Sequence, residues 1–256
     1  MSGADLESRP ATGLDDPGRI DELRRTIRRK RSLERFYLDV YARFDAVLAR
    51  CPAAGEVLEL GSGGGFLRER MPGVVTSDVL PYQGVDRCID ATRMDVASAS
   101  LRMICMLNVF HHIPDVAAFL AEADRCLVPG GRVIIVDQHM GWISRPILRH
   151  LHHEPCDPGA REWRFEASGP LSGANGALAW IVFRRDAARL AREFPRLRLD
   201  RFEPHSPLRY WLAGGLKSWS LLPGALYGAA RAFDGILTSI APELGSFVDI
   251  ELVKSS

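Results

Sequence analysis

The short apolar run Val57 to Leu60 opens directly onto Gly61-Ser62-Gly63-Gly64-Gly65. Glycine carries no Cβ, so a run like this lets the backbone turn sharply and lets something approach it closely. Where a strand ends and a helix begins, free backbone N–H groups face that approach, and a phosphate or a nucleoside-bearing ligand fits there. A dinucleotide fingerprint needs a third glycine at the position held by Phe66, and a phosphate loop ends in Gly-Lys-Ser/Thr, with no lysine nearby. What remains is an acid, Glu59, two residues ahead of Gly-x-Gly-x-Gly.

The surrounding rhythm is that of an α/β protein. "EVLEL", "GVVTSD", "VDRCID", "LRMICMLNV" and "RVIIVD" read as strands. "DVAAFLAEADRCL" reads as an amphipathic helix stopped by "PGG", and a second helix starts near Gly64. Strands apolar on both faces, alternating with helices, predict a parallel sheet covered on both sides. Before them, apolar residues recur at helical spacing from about Ile20 to Ala49 and predict one long helix. After Gly141, "ISRPILRHLHHEPCDPG" reads as a helix. "ALAWIVFRRDAARLAREFP" reads as a strand or apolar segment, then a helix capped by Asp186. "LRLDRF" and "SFVDIELVK" read as late strands.

Taken in order, these segments resemble the class I S-adenosylmethionine-dependent methyltransferases. The resemblance spans Glu56 to Asp137 and rests on "VLELGSGGG", Asp78 at the end of "VVTSD", "IDA" at Ile89 to Ala91, "NVFHHIPD" and "CLVPGGRVIIVD". It implies a Rossmann-like methyltransferase sheet with helices on both faces, an N-terminal helical extension and an inserted C-terminal lid. It implies S-adenosylmethionine as cofactor, held by Glu59, Gly61, Ser62, Gly63 and Gly65. Asp78 is implied on the ribose hydroxyls, Asp90 and Ala91 on the adenine, and Asn108 in the loop after the fourth strand. Only eleven residues separate Asp78 from Asp90, so the second crossover is expected to be short and extended. Wider stretches resemble a bacterial subgroup of unknown acceptor.

Methyl transfer to oxygen needs position and a base, and histidine suits the base near neutral pH. His111 and His112 follow the fourth strand, and His139 follows the fifth, at the edge where open α/β sheets bind ligands. In "HLHHEPCDPG", His153 and Glu154 join the candidates. His150 and His153 are expected to share a helical face. That stretch also reads as a metal site or a rigid lid. A metal needs further ligands that the sequence does not identify, so no metal is assigned. "SGPLSGANGALAW" reads as a loop that could line an acceptor pocket.

The net charge of +1 gives no case for nucleic acid. Five cysteines without a C-x-x-C pair suit a reduced, cytoplasmic protein, and the opening residues lack the apolar core of a signal peptide. Two stretches point elsewhere. "RRTIRRKRSLER" is densely basic, and Tyr210 to Phe233 is rich in large apolar residues broken by Gly and Pro. Each has an ordinary reading, as a solvated face and as a lid. Together they suggest peripheral contact with an anionic membrane at its inner face and a lipid-linked acceptor. A small-molecule or glycan acceptor is the other expectation, with methylation at oxygen in either case. The domain reading is a mobile segment 1–18, a helical extension 19–52, a cofactor-binding core 53–140 and an acceptor-side region 141–256. Two other functions stay open here: a non-catalytic binding module on the cofactor fold, and a nicotinamide oxidoreductase, which Phe66 opposes.

Overall fold

The computed structural model describes residues 18–152, 154–167, 169 and 173–255. The segment expected to be mobile, apart from Gly18, and His153 therefore lie outside the described residues, as do parts of the 168–180 loop. One seven-stranded sheet organises the chain, in the order β3-β2-β1-β4-β5-β7-β6. The strands are β1 (Glu56–Glu59), β2 (Val74–Asp78), β3 (Arg87–Cys88), β4 (Leu101–Leu107), β5 (Leu127–Gln138), β6 (Leu197–His205) and β7 (Phe247–Lys254). The first five run parallel, and β7 is antiparallel to both β5 and β6. Strand order reverses at β1 and β4, which creates a crevice at their carboxyl ends.

The helices are α1 (Gly18–Arg29), α2 (Arg31–Leu48), α3 (Leu67–Arg70), α4 (Val116–Cys126), α5 (Ser144–His150), α6 (Leu178–Trp180), α7 (Ala187–Glu193), α8 (Arg209–Leu212) and α9 (Tyr227–Ile240). One face of the sheet packs against α4 and the α6–α7 region, around Phe110, Phe119 and Phe183. The other packs against α2 and the α8–α9 insertion, around Phe36, Phe44 and Phe247. Asp115 caps α4 by accepting the Ala118 N–H at 3.0 Å. The insertion lies between β6 and β7, as the lid was expected to. The second crossover is short and extended, also as expected, with β3 two residues long.

Several local expectations need correction. The predicted helix over 20–49 is two helices, broken at Lys30, whose backbone is extended. Its buried ammonium donates to the Gly215 carbonyl at 2.6 Å and the Lys217 carbonyl at 3.0 Å. Those bonds tie the break to the lid. The apolar run 178–185 is helical, not a strand: α6 continues as a π-helical turn, Ile181–Arg185, into α7. Asp186 does not cap α7 with its side chain. Its carboxylate instead accepts Trp163 Nε1 at 2.8 Å and pairs with Arg185. The helix expected over "ISRPILRHLHHEP" stops at His150, and the expected pairing of His150 with His153 falls outside the described residues.

Candidate active site

A cavity of about 230 Å³ opens at the crevice. Glu59, Leu60 and the glycine turn line one side, Asp78, Asp90, Ala91 and Thr92 another, and Asn108, Val109 and His112 a third. Gly61 and Gly63 have positive φ, +65° and +48°, which a side-chain-bearing residue takes up only with strain. Asp78, at the tip of β2, accepts from the Gly63 N–H at 3.1 Å and from the Tyr82 hydroxyl at 3.2 Å. The turn is thus held to the acid beside it. Ser62 Oγ donates to Glu59 at 2.7 Å, and burial pushes the Glu59 carboxyl up to about 7, with Ser62 opposing. Asp90 accepts from Thr92 N–H and Oγ1 at 2.8 and 2.7 Å and stays exposed at the rim. Asn108 has a positive φ of 55°, and its buried Oδ1 has no partner within the protein.

The nine cofactor candidates from the sequence, Glu59, Gly61, Ser62, Gly63, Gly65, Asp78, Asp90, Ala91 and Asn108, all line this one cavity. The fit to S-adenosylmethionine rests on chemistry. The carboxylates of Asp78 and Asp90 in the lining could accept hydrogen bonds from hydroxyls and an amine, and the unpartnered Asn108 oxygen could accept one from an ammonium. The sequence reading missed the roof. Ile20 and Leu23 of α1, Tyr37 and Tyr41 of α2, and Leu216 of the lid also line the cavity. A Cβ at Gly64 would lie 2.7 Å from the Arg24 nitrogen, and one at Gly65 2.9 Å from the Tyr41 hydroxyl. These two glycines thus also leave room for the protein's own helices. The signal was present, since the N-terminal helical pattern precedes the turn, but nothing in its periodicity says what it covers.

Beside the cavity, three candidate residues converge. His111, 2% exposed, places Nδ1 2.6 Å from Asp137 and Nε2 3.3 Å from Glu154. His112 Nδ1 donates to the Gly173 carbonyl at 3.0 Å, and its Nε2 lies 3.5 Å from Glu154. Gln138 Nε2 stands 3.4 Å from the same carboxylate, and His152 Nδ1 also 3.4 Å. Burial by itself depresses an imidazole, but Asp137 and Glu154 outweigh it and push His111 up to about 10. Burial raises the Glu154 carboxyl, and the two imidazoles more than offset this and hold it well below the usual range.

The two unusual stretches of sequence meet here. Asn175 donates its backbone N–H to the His111 carbonyl at 2.9 Å and its side-chain amide to the Asp157 carbonyl at 3.1 Å, and Gly176 N–H donates to the Pro155 carbonyl at 2.9 Å. The 173–177 loop thus clamps Glu154's segment against the end of β4. His139 is not part of this cluster and does not line the cavity. It is buried against Phe202, with burial first and nearby His205 and arginines next lowering it to about 4. In the sequence Asp137 reads only as the end of a strand, and Gln138 carries no signal. Their role depends on the β4–β5 register, which sequence alone does not supply.

The crevice, the strand order and the acidic glycine turn define a Rossmann-like cofactor-dependent transferase. The chain belongs to a family described as a methyltransferase domain, which matches residues 28–207. It is an S-adenosylmethionine-dependent methyltransferase of class I. No curated protein matches it in sequence. Among solved structures, it is similar to a chain of the complex between the Haloferax volcanii Trm112 methyltransferase activator and a methyltransferase, with TM-score 0.50, 13% identity, and 96% of this chain and 100% of that one covered. It is also similar to geranyl diphosphate C-methyltransferase from Streptomyces coelicolor, with TM-score 0.46, 14% identity, and coverage of 84% and 78%. A third likeness is to an S-adenosylmethionine-dependent methyltransferase from Mesorhizobium loti, with TM-score 0.42, 14% identity, and coverage of 83% and 98%. At these identities the likenesses concern the fold.

Proposed function

We propose that the enzyme methylates a hydroxyl oxygen, and that the His112–Glu154 cluster promotes loss of the acceptor's proton. The observation that carries this reading is the position of His112. Its ring lines the cofactor cavity, and its Nε2 faces a carboxylate outside it. An alcohol is a poor nucleophile until its proton is removed, so a group placed to promote that loss favours oxygen as the methylated atom. Asp137 serves as a positioning residue, because its contact with His111 Nδ1 fixes the ring that fixes Glu154. His153 remains a candidate by its place in the chain.

The acceptor we favour is amphipathic or lipid-linked, presented at an anionic membrane, with a soluble small molecule as the other reading. Leu216 supports this. It lines the cavity, and it belongs to the same lid segment that exposes Trp219 and Leu221. No helix among the described residues is long and apolar enough to cross a membrane, so the association would be peripheral. The test of the chemistry uses methyl-labelled cofactor and a panel of hydroxyl-bearing acceptors, with the methylated atom located by NMR. His112→Ala is expected to lower kcat about 100-fold or more while leaving S-adenosylhomocysteine binding intact. A methyl group found on carbon or nitrogen, or full activity in His112→Ala, would overturn the reading.

A further inference from the structure

We infer that His111, His112 and Glu154 form a binding site for one divalent cation of the zinc class. The partners of the two rings fix which nitrogens carry hydrogen. A backbone carbonyl only accepts, so His112 Nδ1, 3.0 Å from the Gly173 oxygen, is an N–H donor. His111 Nδ1, 2.6 Å from the Asp137 carboxylate, is a donor for the same reason. In each neutral ring the lone pair is then on Nε2. Both Nε2 atoms face the Glu154 carboxylate, at 3.3 and 3.5 Å.

Lone pairs aimed at a carboxylate need something between them. With no cation present, a proton on His111 Nε2 satisfies that ring, in keeping with the pull of Asp137 and Glu154 on it, but satisfying His112 in the same way would place two imidazolium rings with centroids 4.2 Å apart. A single cation satisfies all three groups without that repulsion. The spacing suits it. Bonds of about 2.0–2.1 Å at a tetrahedral angle put neighbouring ligand atoms about 3.3 Å apart. The candidate ligand atoms of all three residues lie within 4.8 Å of one another.

The outer contacts are those a metal-bound histidine usually has: one ring held by a carboxylate, the other by a backbone carbonyl. Gln138 adds an independent sign. Its buried amide oxygen has no partner, while its amide nitrogen lies 3.5 Å from His111 Nε2 and 3.4 Å from Glu154. Turning the amide over exchanges the two atoms and brings an oxygen to the cluster. Two imidazoles and one carboxylate favour zinc-class ions over magnesium, which prefers an all-oxygen shell. Three protein ligands leave a position open, as catalytic sites do.

This inference deepens the reading of the cluster as the deprotonating group. An acceptor hydroxyl on the open position would release its proton to solvent, because the cation stabilises the alkoxide. The alkoxide oxygen would bond to the methyl carbon as the carbon–sulfur bond breaks. The electron pair stays on sulfur, and S-adenosylhomocysteine leaves.

Cation binding is measured without any acceptor, so it can fail independently of the O-methylation reading. The full chain is stripped with chelator, then titrated with Zn2+ against a chromophoric competitor and, separately, with Co2+ under visible absorption. S-adenosylhomocysteine binding reports that each protein is folded. One equivalent of Zn2+ is expected, with an intense Co2+ spectrum of four- or five-coordinate type. Glu154→Gln and His112→Ala should each weaken Zn2+ at least tenfold. Asp137→Asn should weaken it about 10–100-fold, as outer-contact changes do. If a variant fails to bind S-adenosylhomocysteine, the wild-type Co2+ spectrum decides, and a weak octahedral spectrum overturns the proposal. Wild type that binds S-adenosylhomocysteine but no Zn2+ also overturns it and marks the cluster as held by protons. Zn2+ affinity unchanged in folded Glu154→Gln and His112→Ala does the same.

Discussion

At the scale of single residues, the chemistry lies in side chains whose types the sequence shows and whose partners it conceals. Asp78 is legible as a candidate because a strand ends at it, and in the fold it lines the cavity. His139 had equal standing with His111 and His112, since all three follow strands at the same sheet edge. Packing separates them: two face Glu154, and His139 faces Phe202. Its pH behaviour follows. The folded value of about 4 lies below the ordinary 6.5, so the unfolded chain takes up the proton first as pH falls. Stability is therefore lost between pH 6.5 and 4, by up to about 3 kcal/mol at about 1.4 kcal/mol per unit. Glu59 acts with the opposite sign over part of that range, because its raised carboxyl binds a proton in the folded state first. A difference curve isolates the histidine. His139→Leu removes the ring without breaking a bond at Nδ1, which has no partner. Urea unfolding at several pH values should show wild type losing stability relative to this variant as pH drops to 4. Parallel curves would mean that His139 is not held neutral.

At the scale of elements, the strands were the most legible, because five apolar runs bounded by glycine or polar residues admit little else. The region 178–193 was not, since a continuous apolar run carries no period and suits a buried helix as well as a strand. The break at Lys30 was hidden for another reason. Apolar residues keep helical spacing across it, while the cause of the break lies in the distant carbonyls of Gly215 and Lys217. Helix α1 then folds over the glycine turn, where Gly64 leaves room for it. Gly64→Ala would place a Cβ 2.7 Å from the Arg24 nitrogen and 2.9 Å from Leu23 Cβ. Backbone cannot yield as a side-chain tip does, so α1 must lift. The substitution is expected to cost about 1–3 kcal/mol of cofactor binding, the usual range for overpacking. Trypsin should cut after Arg24 faster in this variant, and S-adenosylhomocysteine should slow the cut in wild type. Equal cleavage and equal affinity would show that α1 does not roof the site.

At the scale of the whole molecule, the basic run and the aromatic-rich segment, far apart in sequence, fall side by side. Arg35 donates to the Gly224 carbonyl at 2.7 Å and sits 5.7 Å from the Tyr227 ring, and a Cβ at Gly224 would touch Arg31. Around that seam, Trp219, Leu221, Leu226, Phe233, Ile236 and Ile240 are exposed, Leu221 and Ile240 at 71% and 74%. Trp211 is not among them. Its ring packs on Tyr210 and His152, so it belongs to the lid's interior. Neither part is sufficient alone. Each basic residue near an anionic surface contributes about 1 kcal/mol, and salt screens it. Apolar side chains entering the interface add a contribution that salt does not remove. Placed together, they would hold the enzyme reversibly, with the Leu216 wall of the cavity turned toward the lipid. The full-length protein should therefore sediment with anionic vesicles at low salt and release partly as salt rises. Leu221→Ser with Phe233→Ser should weaken the salt-resistant fraction. Both side chains are exposed, so folding should change by no more than about 0.5 kcal/mol each. Arg31→Ala with Arg35→Ala should instead reduce the salt-sensitive fraction. If the protein stays in the supernatant at low salt, the exposed stripe serves something other than a bilayer, and a soluble acceptor becomes the better reading.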